Sequence, residues 1–552
     1  MQLLEKHFDL AFSAPNGVQK LRELILTLAI QGKLVPQDPN DEPASKLLKE
    51  IEAEKKKLVK EGKTKQSKPL PYIKTTEVPY VLPKGWEWAR FGEITINRDS
   101  ERIPISKEDR EKIIGEYDYY GASGIIDKVN DYLFDKALLL IGEDGANLIN
   151  RSTPIAFIAR GKYWVNNHAH VIDAIHFETL LYLEKYINAI DLKPYVTGSA
   201  QPKMNQAKMH SIVIALPPLA EQRRIVAKID RLMAQCDELE KLKGDRNKKR
   251  ITVHTAAINQ LLTAQEDSDF STAWDFIQKH FSKLYTVKEN VAELRKAILQ
   301  LAVMGKLVPQ DPNDEPASEL LKAIKMEKQK LVEEGKIKNS KPLPSIQLED
   351  VLYKLPKGWE LIHFDDLCTE ISTGPFGLMI HKSDYIENGI PLVNPIHMIN
   401  GKIIHDSKVT VTPEKAEQLN SYRLFEDDIV MARRGELGRC AIVEKRSHRW
   451  LCGTGSFVLR FIPDLSRAYL LIIFQSQRVR DYLGGNSVGT TMTNLNHGIL
   501  RMLPILLPPL AEQHRIVTKV DQLMALCDRL EQQIDAATEK RTELLNTLMA
   551  QV

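Results

Sequence analysis

Few residues of this chain are spaced for catalysis. Gly62-Lys63-Thr64 has the tail of a phosphate-cradling loop. The glycine such a loop needs five positions upstream is Lys57, however, and the second occurrence, Gly335-Lys336, runs into Ile337. A glycine closing a charged helix accounts for both strings better. His168 and His170 project to one side of a predicted strand, but no third ligand accompanies them, so no metal site is expected. Their expected place is structural, beside a recognition surface, with direct ligand contact as the alternative. The five cysteines at 236, 368, 440, 452 and 527 form no C-x2-C pair. Neither a structural zinc nor a disulfide framework is expected, and the thiols are read as reduced. No cofactor is expected.

Donors that match base edges and phosphates are better represented. Arginine is bidentate to guanine, asparagine and glutamine are bidentate to adenine, and lysine, serine and threonine reach phosphates. In the first half of the chain Lys162, Asn166, Asn167, His168, Ser199, Gln201, Lys203 and Asn205 fit that chemistry. In the second half Arg433, Arg434, Arg439, Thr490, Thr491, Thr493 and Asn494 fit it, and "MARRGELGR" follows an apolar strand as a basic, Gly-rich loop. A solvated loop side chain is the competing reading for each. A further patch, Lys241–Arg250, holds six basic residues in ten. A solvated helix face is the default there, and phosphate contact is the sharper reading. The net charge is +3, from 76 basic against 73 acidic residues. Nucleic-acid binding would therefore have to concentrate basic groups locally.

These candidates sit inside a long-range repeat. "GKLVPQDPNDEPAS" occurs at Gly32–Ser45 and again at Gly305–Ser318. Residues 21–71 and 294–344, aligned at an offset of 273, share 38 of 51 positions, and "LPKGWE" keeps that offset. Identity then fades and returns at "LPPLAEQ", residues 216–222 and 507–513, where the offset is 291. The chain is thus two tandem copies of one unit, about 1–262 and 274–552, too long a period for a solenoid.

In each copy "LPPLAEQ" opens a heptad stripe: Ile225, Ile229, Leu232, Cys236 and Leu239 in the first, Ile516, Val520, Leu523, Cys527 and Leu530 in the second. Charged residues fill the intervening positions, the pattern of a coiled-coil seam. Pro217 and Pro218 suit the start of such a helix. Further helices are predicted near Val18 and Val291, and over 44–61 and 317–334, each of the latter closed by a glycine. Between them, runs such as "KALLLIGEDGANLI" and "SFVLRFIP" predict short strands. The expected fold is α/β (α+β): two globular domains separated by long antiparallel coiled-coil helices, with an internal pseudo-two-fold. A helix of ~40 residues reaches ~60 Å, so two dissimilar readers held on such a strut suit a duplex. The expected regions are 1–79, 80–215, 216–352, 353–506 and 507–552. The N-terminus lacks a signal-peptide pattern and no apolar run is long enough to span a bilayer, so a cytoplasmic protein without membrane contact is expected.

Two variable domains, each opened by "LPKGWE" and followed by "LPPLAEQ" and a heptad helix, resemble the specificity subunit of type I restriction–modification systems. "YGASGIID", "GKYWVNNHAHVI", "TGSAQPKMN" (197–205) and "VGTTMTNLN" (488–496) strengthen the resemblance, which covers essentially the whole chain. It implies that residues 80–215 and 353–506 are target recognition domains, each reading half of a bipartite double-stranded DNA site through the major groove. It implies that the helices fix the gap and dock two methyltransferase subunits, which restriction subunits join. It also implies no catalysis by the chain itself. Asn394-Pro395-Ile396-His397 lacks the second proline and the aromatic of an adenine methyltransferase motif, which agrees. A fused methyltransferase or nuclease, and a non-catalytic coiled-coil protein-interaction scaffold, are the alternatives.

Overall fold

The repeated Pro-rich segment is where the chain is latched to itself. In the computed structural model, which describes residues 8–64, 69–198, 201–337, 342–346, 355–376, 379–486 and 495–550, one copy comprises these main elements. They are α1 (Phe8–Phe12), α2 (Gly17–Ile30), α3 (Ala44–Lys60), β1 (Glu87–Arg90), β2 (Ile96–Asn97), β3 (Leu138–Gly142), β4 (Ala156–Ala159), β5 (Ala169–Asp173), α4 (Phe177–Ala189), β6 (Val213–Leu216) and α5 (Leu219–Thr263). The other copy comprises α6 (Asp267–Lys279), α7 (Lys288–Val303), α8 (Ala317–Glu333), β7 (Glu360–His363), β8 (Cys368–Thr373), β9 (Ile429–Ala432), β10 (Cys440–Ile442), β11 (Ser456–Phe461), α9 (Arg467–Gln475), β12 (Pro504–Leu507) and α10 (Leu510–Met549).

Gly32 ends α2 with φ +68°, and a Cβ there would lie 2.4 Å from Pro83 and 3.1 Å from Trp86. Only glycine admits that approach. Beyond it Gln37 Nε2 donates to Glu221 Oε1 (3.1 Å), and Trp86 Nε1 donates to Glu221 Oε2 (2.9 Å). Arg224 Nη1 donates to Asp41 Oδ1 (3.2 Å), and the Ala44 N–H donates to the Gly85 carbonyl. The second copy repeats each bond: Gln310 and Trp359 on Glu512 (3.2 and 3.0 Å), Arg515 on Asp314 (3.1 Å), Ala317 on Gly358. The fourteen repeated letters are thus the socket that joins "LPKGWE" to "LPPLAEQ". Gln222 and Gln513 close it by donating to the carbonyls of Pro217 and Pro508.

The chain divides into two compact units, Met1–Gly244 with Thr538–Val552, and Asp245–Ala537. At 45 residues α5 is about 67 Å long; it begins in the first unit and ends in the second, while α10 does the reverse. The seam residues are buried early in each helix. Ile225, Ile229 and Cys236 share a cluster with Val18 and Ile25 of α2, and Leu232 and Leu239 pack on its edge. Arg22 of α2 pairs with Asp237 and Glu240 of α5. In the second unit Ile516, Val520 and Cys527 share a cluster with Val291 and Ile298 of α7, Leu523 and Leu530 lie at its edge, and Arg295 pairs with Asp528 and Glu531. The stripe read from the heptads is thus covered, over these turns, by the shorter helix of its own unit.

Inside each unit the variable part hangs on one antiparallel ladder. β1 pairs with β6 from Glu87↔Leu216 to Arg90↔Val213, and β7 pairs with β12 from Glu360↔Leu507 to His363↔Pro504. Beyond the ladders lie four-stranded antiparallel sheets of identical order, β2-β5-β3-β4 and β8-β11-β9-β10. β3 is buried on both faces, which explains its unbroken apolar run. Leu139 and Ile141 face the cluster containing α4, while Leu138 and Leu140 join Tyr163 and Val165 of a second small sheet. Of the predicted helices, those over 44–61 and 317–334 run to Lys60 and Glu333. The sequence reading did not anticipate α4, α6 and α9.

Candidate nucleic-acid interface

The central strands β3 and β9 each run into a loop, and the backbone frame of the two loops is the same. After β3 the Glu143 N–H donates to the His168 carbonyl (2.8 Å) and its carbonyl accepts from the Met204 N–H (2.8 Å). After β9 the Arg433 N–H donates to Gly455 (2.8 Å) and its carbonyl accepts from Leu495 (3.0 Å). Gly145 and Gly435 follow with φ +104° and +82°. Asn205 and Asn496 each cap the next short helix, accepting from Lys208 and Ile499. Position by position, Glu143-Asp144 corresponds to Arg433-Arg434.

In the first domain the loop is a knot of ion pairs. Glu143 accepts from Arg102 Nη1 (3.0 Å) and faces Lys203 Nζ (3.2 Å). Asp144 lies 2.8 Å from His168 Nδ1. Beneath it His170 is buried, its Nδ1 2.7 Å from Asp99 Oδ2 and its Nε2 2.9 Å from the Met204 carbonyl. Burial opposes ionisation of Asp99, but His170, Asn97 and Arg102 outweigh it and hold the carboxyl below its ordinary range. The exposed groups of this knot are His168 and Lys203, held from below by carboxylates.

The residues proposed from sequence fall into three groups. Asn167, His168, Gln201 and Lys203 are exposed around this loop. Lys162 is exposed as well, with its Nζ 4.6 Å from the Tyr132 ring centroid. Asn166 is buried, and its Oδ1 accepts from the His168 N–H, so it shapes the turn and does not present itself as a surface donor. His168 belongs to that turn and His170 to β5, so the two do not share a face: one is exposed and the other fully enclosed. In the second domain Arg434 is exposed, and Arg433 is partly so. Burial first and Arg434 second push the Arg433 guanidinium below its ordinary range. Arg439 is drawn back into the loop by Glu436, with Nε 3.1 Å away, and its Nη1 lies 3.3 Å from the Pro395 carbonyl. Ser199, Thr490, Thr491, Thr493 and Asn494 lie outside the described residues.

Sequence reasoning missed Glu143, Asp144 and Arg102. Aligning the loops that follow the two buried strands, "LIGEDG" and "VMARRG", would have found the first two. Among the described residues no group of three His, Cys, Asp or Glu side chains could hold a metal, and no helix is long and apolar enough to cross a membrane.

The protein-family model described as "Type I restriction modification DNA specificity domain" matches residues 83–246 and 356–540, one segment in each copy. The EcoAI specificity subunit of Escherichia coli is 34% identical, over 96% of this chain and 93% of its own. The EcoEI specificity subunit of the same organism is 33% identical over the same shares. The HsdS subunit of Thermoanaerobacter tengcongensis aligns at a TM-score of 0.39 with 17% identity, over 86% of this chain and 98% of its own. On the strength of the doubled family match and these two full-length relatives, the chain belongs to the specificity subunits of type I restriction–modification systems.

Proposed function

We propose that residues 80–215 and 353–506 are two target recognition domains that each read one half of a bipartite DNA duplex site through the major groove. The loops after β3 and β9, with their flanking turns, supply the reading groups: Lys162, Asn167, His168, Gln201 and Lys203 in one, Arg433 and Arg434 in the other. The long helices set the gap between half-sites and dock two methyltransferase subunits, through which restriction subunits join. The chain contributes recognition and no chemistry of its own, in the cytoplasm.

The observation that carries this reading is the pair of identical backbone frames bearing unlike loops. A repeated scaffold with divergent tips suits a protein that reads two different sequences in one way. The test is the base-resolution methylome of the host with and without the gene. Two unlike half-sites at a constant gap, absent after deletion, are expected; an unchanged methylome would overturn the reading.

A further inference from the structure

Each unit is completed by the end of a long helix that begins in the other, and the two receiving slots are chemically different. In the first unit Leu545 and Leu548 of α10 close an apolar cluster with Phe12, Leu24 and Leu28. In the second unit the same slot receives α5. The repeat offsets of 291 and 273 place His254 where the first unit has Leu545, and Tyr285 where it has Phe12. His254 is fully buried, its Nε2 lies 2.9 Å from Tyr285 Oη, and the rings meet edge-on at 82°. The His254 Nδ1 finds no partner among the described residues.

One slot is thus matched by apolar packing and its counterpart by a buried hydrogen bond. Exchange of the helix ends would mismatch both. Leu545 against Tyr285 would bury a hydroxyl without a partner, and His254 against Phe12 would bury an imidazole with neither nitrogen satisfied. A single buried polar group is a known means of fixing which helices pair. We propose that His254–Tyr285 and Phe12–Leu545 form a pairing code. It directs each helix end to its own slot and rejects the wrong end, including the one offered by a second copy of this chain. α2 and α7, each of which faces such an end, share seven of fourteen aligned positions over 17–30 and 290–303, among them Ile25/Ile298 and Leu28/Leu301, and that shared apolar face is what makes a code necessary.

The test uses full-length chains carrying two different affinity tags, unfolded together, refolded at high concentration and separated by size. H254L/Y285F makes both slots apolar, and F12Y/L545H makes both polar. Each is expected to raise the fraction of mixed-tag dimer at least tenfold over the parent. The quadruple variant F12Y/L545H/H254L/Y285F moves the code to the other unit and is expected to return that fraction to the parental level. A double variant that refolds with no more mixed-tag dimer than the parent overturns the proposal. A quadruple variant that exchanges ends as freely as the doubles overturns it as well.

Discussion

The loop after β3 and the loop after β9 hang from the same backbone bonds and carry opposite charge. Glu143 and Asp144 in one occupy the places of Arg433 and Arg434 in the other, with equivalent carbonyl and amide partners on either side. The sockets around Glu221 and Glu512, by contrast, match bond for bond. The difference is one of burial. The loop frame is held by main-chain hydrogen bonds that ignore the side chain, and its carboxylates stay part-exposed and are paired locally, Glu143 by Arg102 and Lys203 and Asp144 by His168, so each domain can set the charge there with partners of its own. The socket buries a carboxylate between an indole N–H and an amide, and loss of any member strands the others.

The sharpest way to break this comparison is to attack the shared part. Trp86→Ala and Trp359→Ala are each expected to cost about 3–5 kcal/mol, through the cavity left behind and an orphaned carboxylate. Urea unfolding followed by circular dichroism measures this. A near-neutral result for one of them would show that the sockets are not equivalent.

The next test concerns the divergent part. Arg434→Ala should relax discrimination by about 1–3 kcal/mol at one position of one half-site, leaving the other half-site untouched. Asp144→Ala releases His168 and should alter only the opposite half-site. Competition binding of the assembled complex to duplexes permuted one half-site at a time separates the two. Either variant affecting both half-sites would undo the claim of independent readers.

The comparison also predicts an asymmetric response to acid. Burial, partly offset by Glu293, lowers the His254 pKa, so the folded unit favours the neutral ring. Its contribution is complete above an unfolded-state value of about 6.5 and declines as pH falls below it, by at most about 1.4 kcal/mol per pH unit. Leu545 cannot titrate. Acidification from pH 7.5 to 5.5 should therefore weaken the slot that holds His254 and not the one that holds Leu545, and His254→Leu should remove that part of the pH dependence. An unaltered profile in the variant would remove the asymmetry.

The smallest expected effect is in the helix tails. Neutralising Lys248, Lys249 and Arg250 should reduce the slope of log K against log salt by about 0.9 for each phosphate that is no longer neutralised. Neutralising Lys540 and Arg541, at the equivalent places of the other copy, should leave it unchanged. A slope unchanged by neutralising Lys248, Lys249 and Arg250 would mark the run as a solvated face.

Much of this architecture is legible in the chain itself, for a physical reason. The 273-residue echo and the heptad stripes reflect burial, and burial constrains residue type. What covers a stripe is not written in it: Ile225 and Ile229 show only that an apolar partner exists, and α2 proves to be one. Asn166 was legible as a hydrogen-bonding residue but not as a buried one, because a turn-former and a base-reader share the same amide. Glu143 and Asp144 escaped notice because acidic residues read as unsuited to a phosphate backbone, although in place they hold Lys203 and His168 outward. α6 has no equivalent among the described residues of the first copy, so the repeat offered no second occurrence by which to recognise it.

The ladders β1·β6 and β7·β12 have one more consequence. Residues facing one another across an antiparallel pair sit roughly 5 Å apart, so a whole reading head enters and leaves its mount through a gap of one strand spacing. The repeat offset grows from 273 to 291 across the second head, yet the register of the mount is unaltered. A head of different length and lineage, spliced between Arg90 and Val213, would meet the same plug. On the proposed function the mount is an interchangeable fitting: a head grafted onto it would bring its own recognition sequence without redesign of the rest of the machine.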